Sequence, residues 1–192
     1  MRISGGEARG ITLAVPKGDK VRPATDGMRQ AVFSSLGNVV AGARFLDLFA
    51  GSGAYGLEAL SRGAVGGVFV EQNTRAVACV RQNIASVCKS LGRGAPDAGD
   101  LLVVQADARN VPLGGSAEVP DLVFIDPPYA IIAEIAPALF DRLAAVLAPK
   151  PGAIVVFELP GELDLAPEGW VMLKRLGKGA RQPTVAFFRR GR

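Results

Sequence analysis

Histidine is absent from the 192-residue chain, and cysteine occurs only twice, as Cys79 and Cys88. Without histidine, Ser-His-Asp and Cys-His mechanisms are excluded outright, and with two cysteines no metal site is expected. The cysteines fall nine residues apart in one predicted helix, too far along its axis to be bridged. They are read as reduced thiols, which points to the cytoplasm. No apolar run approaches the length of a membrane span. The stretch Met1-Arg2-Ile3-Ser4-Gly5-Gly6 lacks the apolar core of a signal peptide. Acids are missing from residues 174–192, which hold seven Lys/Arg. Residues 1–44 hold seven Lys/Arg against three acids, so a net charge of +4 conceals an acidic centre between basic ends. Basic ends around an acidic centre suit a polyanionic partner, with an ordinary solvated surface as the alternative.

What is present reads as an α/β chain. Residues 2–5 and 11–15 suggest two short strands of a hairpin around a Gly-rich turn. Thr25 is placed to cap a helix that runs to Leu36, with Met28, Val32, Phe33 and Leu36 on its apolar face. From Arg44 strands and helices alternate: strands at 44–49, 67–71, 101–106, 122–126 and 153–158, helices at 54–61, 74–90 and 133–148. Such alternation predicts a mostly parallel sheet with helices on both faces. Two consecutive strands, 170–176 and 184–190, are expected to close the sheet as an antiparallel pair. The chain divides into a hairpin-and-helix extension, residues 1–40, and a main domain, residues 41–192.

The main domain is organised around Leu46-Asp47-Leu48-Phe49-Ala50-Gly51-Ser52-Gly53-Ala54-Tyr55-Gly56. A strand that breaks into glycines and re-enters as a helix makes a cradle for a nucleotide-like ligand. Gly51-x-Gly53-x-x-Gly56, with Glu71 about twenty residues on, also fits a dinucleotide site. Asp47 tilts the reading away from NAD. A carboxylate beside the turn faces a pyrophosphate unfavourably, but suits a ligand with an ammonium and a sulfonium, such as S-adenosylmethionine.

Ligands of open α/β sheets sit beyond the carboxyl ends of the strands, and Asp47, Glu71, Asp107 and Asp126 all lie at such ends. Glu71 is suited to two ribose hydroxyls and Asp107 to an adenine amine, although Asp107 also suits a cap. Asp126-Pro127-Pro128-Tyr129 decides between cofactors. The amine of a nucleobase is a poor nucleophile because its lone pair is delocalised into the ring. Two acceptors aimed at its hydrogens, the Asp126 carboxylate and the Pro127 carbonyl, draw the nitrogen toward sp³ geometry. Pro127 and Pro128 hold those acceptors in place, and Tyr129 offers a face for the base to stack on.

Together, Asp126-Pro127-Pro128-Tyr129 and the glycine cradle resemble the amino-methyltransferases that use S-adenosylmethionine. The run Arg2-Ile3-Ser4-Gly5-Gly6, Arg9-Gly10, Leu13, Pro16, Arg22-Pro23-x-Thr25-Asp26-x-x-Arg29 is more specific. It resembles bacterial methyltransferases of the RsmD type, which modify guanine N2 in small-subunit (16S) ribosomal RNA. The resemblance implies a Rossmann-like class I methyltransferase with a seven-stranded sheet and a small N-terminal hairpin. It implies Asp126, Pro127, Pro128 and Tyr129 as the catalytic segment. Around S-adenosylmethionine it implies Asp47, Phe49, Gly51, Ser52, Gly53, Gly56, Glu71, Asp107 and Ala108. The expected partner is ribosomal RNA, free or in an assembling small subunit, bound by a monomer through Arg2, Arg9, Lys17, Lys20, Arg22 and Arg29. Arg22 or Arg29 has the cofactor carboxylate as an alternative partner.

Three other functions compete. A DNA adenine-N6 methyltransferase uses the same tetrapeptide, but usually needs a target-recognition region for which 192 residues leave little room. An NAD-dependent oxidoreductase leaves residues 126–129 unexplained, and so does an RNA-binding module without activity.

Overall fold

The computed structural model describes residues 1–16, 25–93, 100–113, 118–177, 179 and 182–191. Among these, seven strands form one sheet in the order β3-β2-β1-β4-β5-β7-β6. They are β1 (Arg44–Leu48), β2 (Gly66–Glu71), β3 (Leu101–Gln105), β4 (Leu122–Ile125), β5 (Ile154–Pro160), β6 (Trp170–Leu176) and β7 (Pro183–Arg190). Pairing is parallel from β3 through β5 and antiparallel at β5–β7 and β7–β6. The chain builds outward from β1 to β3, then crosses back to place β4 on the other side of β1. That reversal opens a crevice at the carboxyl ends of β1 and β4, where doubly wound sheets bind ligands.

Among the described residues four α-helices cover the sheet: α1 (Asp26–Leu36), α2 (Ala54–Ser61), α3 (Thr74–Ser90) and α4 (Ile132–Val146). The strands are apolar on both faces, so each face needs its own helical layer. One core joins Phe45, Phe69 and Phe124 of the sheet to Phe33 of α1, Tyr55 and Leu57 of α2, and Val80 and Ile84 of α3. The other joins Leu48, Val123, Ile125 and Phe157 to Ile132, Leu139, Phe140 and Leu143 of α4. Helix α1 starts from the expected cap, for Thr25 Oγ1 accepts the Met28 N–H at 3.2 Å.

The N-terminal segment differs from the expected two-stranded hairpin. It is a turn with a single antiparallel bridge, Arg2 to Thr12, held by Ile3 N–H to the Ile11 carbonyl and Gly10 N–H to the Ile3 carbonyl, both 2.9 Å. Its shape comes from docking rather than from strand pairing. Ile3, Ala8 and Leu13 enter the first core, and Gly6 lies so close to Ser61 that a Cβ would meet its carbonyl oxygen at 1.9 Å. Among the described residues, no helix is long and apolar enough to cross a membrane.

Candidate active site

Beyond β1 the backbone turns through three left-handed residues, Phe49 (φ 60°), Gly51 (φ 56°) and Gly53 (φ 79°). For Phe49 this conformation costs on the order of 1–3 kcal/mol, so the surrounding contacts impose it. The glycines serve different ends. A Cβ on Gly56 would lie 2.4 Å from Phe69 and 2.5 Å from Phe45, so only glycine lets α2 press against the sheet. A Cβ on Gly51 would meet nothing nearer than the Phe49 carbonyl at 4.0 Å, which leaves a hollow in front of the turn.

Carboxylates, not free amides, line that hollow. Glu71 at the end of β2 accepts the Gly51 N–H through Oε2 and the Asn73 N–H through Oε1, both at 2.8 Å. Asp47 accepts the Gly56 N–H at 3.0 Å. Two of the turn's N–H groups, those of Gly51 and Gly56, are therefore given to acids, and that of Gly53 to the Ala50 carbonyl, which argues against the dinucleotide reading. Each carboxylate oxygen has a second lone pair, so Glu71 can still accept ligand hydroxyls. Ser52 is tied from behind: Asn83 of α3 donates to the Ser52 carbonyl at 2.9 Å and exchanges two hydrogen bonds with the Ala14 backbone.

Asp126 follows directly on β4, and Ile125 pairs with Phe157 of β5. Asp126 and the next residue of β5, Glu158, therefore project side by side from the sheet face that carries Asp47. The Pro127-Pro128 pair leads into a short turn of 3₁₀ helix, Tyr129–Ile131, closed by Ile131 N–H to the Pro128 carbonyl at 3.1 Å. Tyr129 is 42% exposed, so the side chain is accessible to a stacking partner. Among the described residues, neither the Asp126 carboxyl nor the Pro127 carbonyl accepts a hydrogen bond, and these are the acceptors named from the tetrapeptide.

Burial pushes Asp47 up to about 8, with Glu71 adding to the rise and the Gly56 N–H opposing it. Burial also pushes Asp126 well above the carboxylate range, and the charges of Glu158 and Asp47 raise it further. Glu158, buried, is raised to about 7 by the same desolvation, moderated by the Tyr55 and Tyr129 hydroxyls and by Arg29. A pocket that concentrates carboxyls it can barely ionise is suited to cationic groups.

Once this geometry is set beside known proteins, the relationship is direct. The family described as "Conserved hypothetical protein 95" matches residues 1–187. The chain belongs to this family. Relatives carry the name "Ribosomal RNA small subunit methyltransferase D". That of Escherichia coli (strain K12) is 34% identical over 172 residues, 88% of this chain and 81% of that protein. That of Haemophilus influenzae (strain ATCC 51907 / DSM 11121 / KW20 / Rd) is 30% identical over 181 residues, 93% of this chain and 89% of the other. Among solved structures, "Putative methyltransferase yhhF from Escherichia coli" overlays with a TM-score of 0.71 at 30% identity, covering 99% of this chain and 97% of that one. The resemblance carried by residues 2–29 and 126–129 is thus to the right relatives, and the class I methyltransferase fold is the observed one.

Within that family frame, some expected site residues stand elsewhere than the sequence suggested. Asp107 already has a cation on its carboxylate. Arg109 grips its carboxylate through Nε at 2.9 Å and Nη2 at 2.7 Å and holds it below its ordinary range, while its carbonyl accepts the Asn110 and Val111 N–H groups. Asp107 thus closes a turn, with its Oδ1 also accepting the Arg109 N–H at 2.9 Å, and caps no helix among the described residues. The neighbouring turn, including buried Ala108, is pinned by Arg142 of α4, which donates to the carbonyls of Ala108, Arg109 and Val111. Arg29 corrects the predicted RNA surface: its side chain is 0% exposed and lies between Asp26 at 2.7 Å and Glu58 at 3.4 Å. No nucleic acid can reach it. Arg2 and Arg9 are exposed, whereas Lys17, Lys20 and Arg22 lie outside the described residues.

Two residues escaped the sequence reading. Glu158 stood at the end of a predicted strand, and the rule that selected the other four acids applied to it equally. Tyr55 gave no such signal, because it reads as one more apolar position of α2. Its hydroxyl donates to Glu158 at 3.2 Å. Among the described residues, no group of three His, Cys, Asp or Glu side chains is placed to hold a metal ion.

Proposed function

We propose that the chain transfers a methyl group from S-adenosylmethionine to the exocyclic N2 amine of a guanine in small-subunit ribosomal RNA. The observation that carries this reading is the position of Asp126 and Pro127. Two acceptors stand at the β4 end of the crevice, directly across from the glycine turn on β1. When bound, S-adenosylmethionine supplies an electrophilic methyl group on a cationic sulfur.

The chain's own residues do the rest. The hollow before Gly51 admits the ligand close to the backbone, and Glu71 offers its remaining lone pairs to ribose hydroxyls. Phe49, Ser52, Gly53 and Gly56 shape the turn, and the Asp107–Ala108 turn borders the adenine. Asp47 supplies negative charge toward the ammonium, which lowers the carboxyl from its raised position in the free protein. The Asp126 carboxylate and the Pro127 carbonyl each accept a hydrogen bond from the target amine, whose surplus proton leaves after the methyl group is transferred, and Pro128 sets the angle at which Tyr129 meets the base. Because the acceptors are held by backbone and ring, little reorganisation accompanies the reaction. The target guanine must be unstacked to enter, so it lies in a loop or is flipped out. Arg2 and Arg9, with Lys17 and Lys20, are assigned to its phosphates, in a cytoplasmic monomer working on naked RNA or on an assembling subunit.

The decisive experiment supplies labelled S-adenosylmethionine with ribosomal RNA and small subunits that lack the modification, followed by nucleoside analysis. N2-methylguanosine is expected. N6-methyladenine in DNA would instead favour the adenine-directed alternative, which the same acceptor pair would also serve.

A further inference from the structure

The chain contains two tyrosines, Tyr55 and Tyr129, and both donate to one carboxyl. Tyr55 reaches Glu158 Oε2 at 3.2 Å from α2, and Tyr129 reaches Oε1 at 3.4 Å from the turn after β4. Glu158 is 2% exposed, on the interior strand β5, so it is held rigidly from below. Its neighbour across the strand ends is Asp126, by the pairing of Ile125 with Phe157. A buried carboxylate in such a place gives nothing to packing that an apolar residue would not give better.

We propose that Glu158 is a positioning residue of the methyl-transfer site: it anchors the Tyr129 ring for the target base and, through its charge beside Asp126, governs the ionisation of the Asp126 carboxylate. This inference rests on the proposed methyl transfer. The charged and titratable groups around Glu158 come from every side. Tyr55 faces it from α2, Tyr129 and Asp126 from the end of β4, and Arg29 from α1, while Asp47 of β1 faces Asp126 and Glu162 faces Tyr129. Two carboxyls this close cannot both ionise freely, so they titrate as a pair. Asp126 must be ionised to draw on its hydrogen of the target amine as a charged acceptor, and a charged Glu158 delays that ionisation. Its proximity therefore sets the lower pH limit of activity.

Because both tyrosines sit on Glu158, their rings report on it without any substrate. In protein carrying ¹³C at the tyrosine ζ position, both resonances should shift with a common inflection near pH 7. Tyr129→Phe removes one signal and so assigns the other to Tyr55. Glu158→Gln should abolish the inflection. With RNA substrate, the acid limb of kcat/KM should move down by about one pH unit in Glu158→Gln, since the like charge beside Asp126 is gone. A residue that merely stabilised the fold would depress activity at every pH and leave the limb in place. Tyrosine signals flat between about pH 5 and 9 in the native protein would overturn the inference even if Glu158→Gln does not fold, and so would an unshifted limb. If the native protein methylated no guanine while its tyrosines titrated as described, the methyl-transfer reading would be at fault and the placement of Glu158 would stand.

Discussion

Glu71 Oε2 and the Gly51 N–H meet at 2.8 Å, so the acid at the end of β2 holds the turn at the end of β1. One carboxylate thereby both shapes the cradle and faces its contents. Replacing Glu71 with Gln should weaken S-adenosylmethionine binding by about 1.5–3 kcal/mol, the range for hydrogen bonds to charged groups. Glu71→Ala should cost at least as much, because Gly51 and Asn73 also lose their acceptor. Isothermal calorimetry measures both, and undiminished affinity would remove Glu71 from the cofactor site.

Asp126→Asn should leave cofactor affinity intact and lower kcat by roughly 10²–10³-fold, the scale of removing one preorganised electrostatic partner. The amide keeps one acceptor oxygen but loses the charge that draws on the amine. Single-turnover kinetics with cofactor affinity measured separately distinguish the outcomes. A weakened affinity with an unchanged kcat would place Asp126 on the cofactor instead of the target.

The placement of these residues at one crevice was legible in the sequence for a physical reason. Strand, glycine turn and acid are local signals, and a parallel sheet brings successive strand ends to one crevice without further information. Arg29 was not legible in this way. A basic residue on a short helix reads as surface unless its counter-charge is known, and Glu58 lies on a different helix, beyond β1. The pairing of Asp107 with Arg109 was not legible either, since it depended on where the Arg109 side chain turned. The N-terminal hairpin is shorter than expected for a related cause: its backbone spends its hydrogen bonds on Ser61 and Glu58 as well as on itself.

The raised carboxyls make the free protein less stable as pH rises. Asp47 titrates at about 8 and Glu158 at about 7, against ordinary values of 3.8 and 4.5. Between those limits the folded chain keeps protons that the unfolded chain releases. The associated stability is whole below about pH 4 and is lost as pH climbs through about 8, with a slope approaching about 1.4 kcal/mol per pH unit for each such group. Thermal melts from about pH 5 to 8 should therefore show a falling Tm. Saturating S-adenosylmethionine, by favouring the ionised Asp47, should flatten the trend. A Tm that rises steadily to about pH 8 without ligand would contradict the burial of charge described for the crevice.

Arg29→Met should destabilise the fold by about 3–5 kcal/mol, because it strands the fully buried Glu58 carboxylate with Arg62 and Ser4 as its remaining partners. The double change with Glu58→Leu should recover part of that destabilisation. Urea denaturation of the three variants measures the recovery, and a simple sum of the two single effects would mean the pair is not coupled.

The exposed cations give the last prediction. Substituting Arg2, Arg9, Lys17 and Lys20 together should reduce the log–log salt dependence of RNA binding by about 0.7–0.9 for every phosphate no longer neutralised. Cofactor affinity should be unchanged. If the salt slope does not move, the N-terminal cations are a solvated face and Arg189 on β7 becomes the place to look.

Arg29 also constrains the order in which the chain can mature during synthesis. Its partners are the Arg2 carbonyl and Asp26, both made before it, and Glu58, made well after. Until α2 has left the ribosome, the first helix would have to bury a guanidinium without its buried counter-charge, so the N-terminal segment waits. The sheet imposes a second delay, since β5 is flanked by β4 and by β7, the last strand of the chain. A nascent chain halted before β7 should therefore hold the glycine turn at the ends of β1 and β2 while the crevice around Glu158 still lacks one wall.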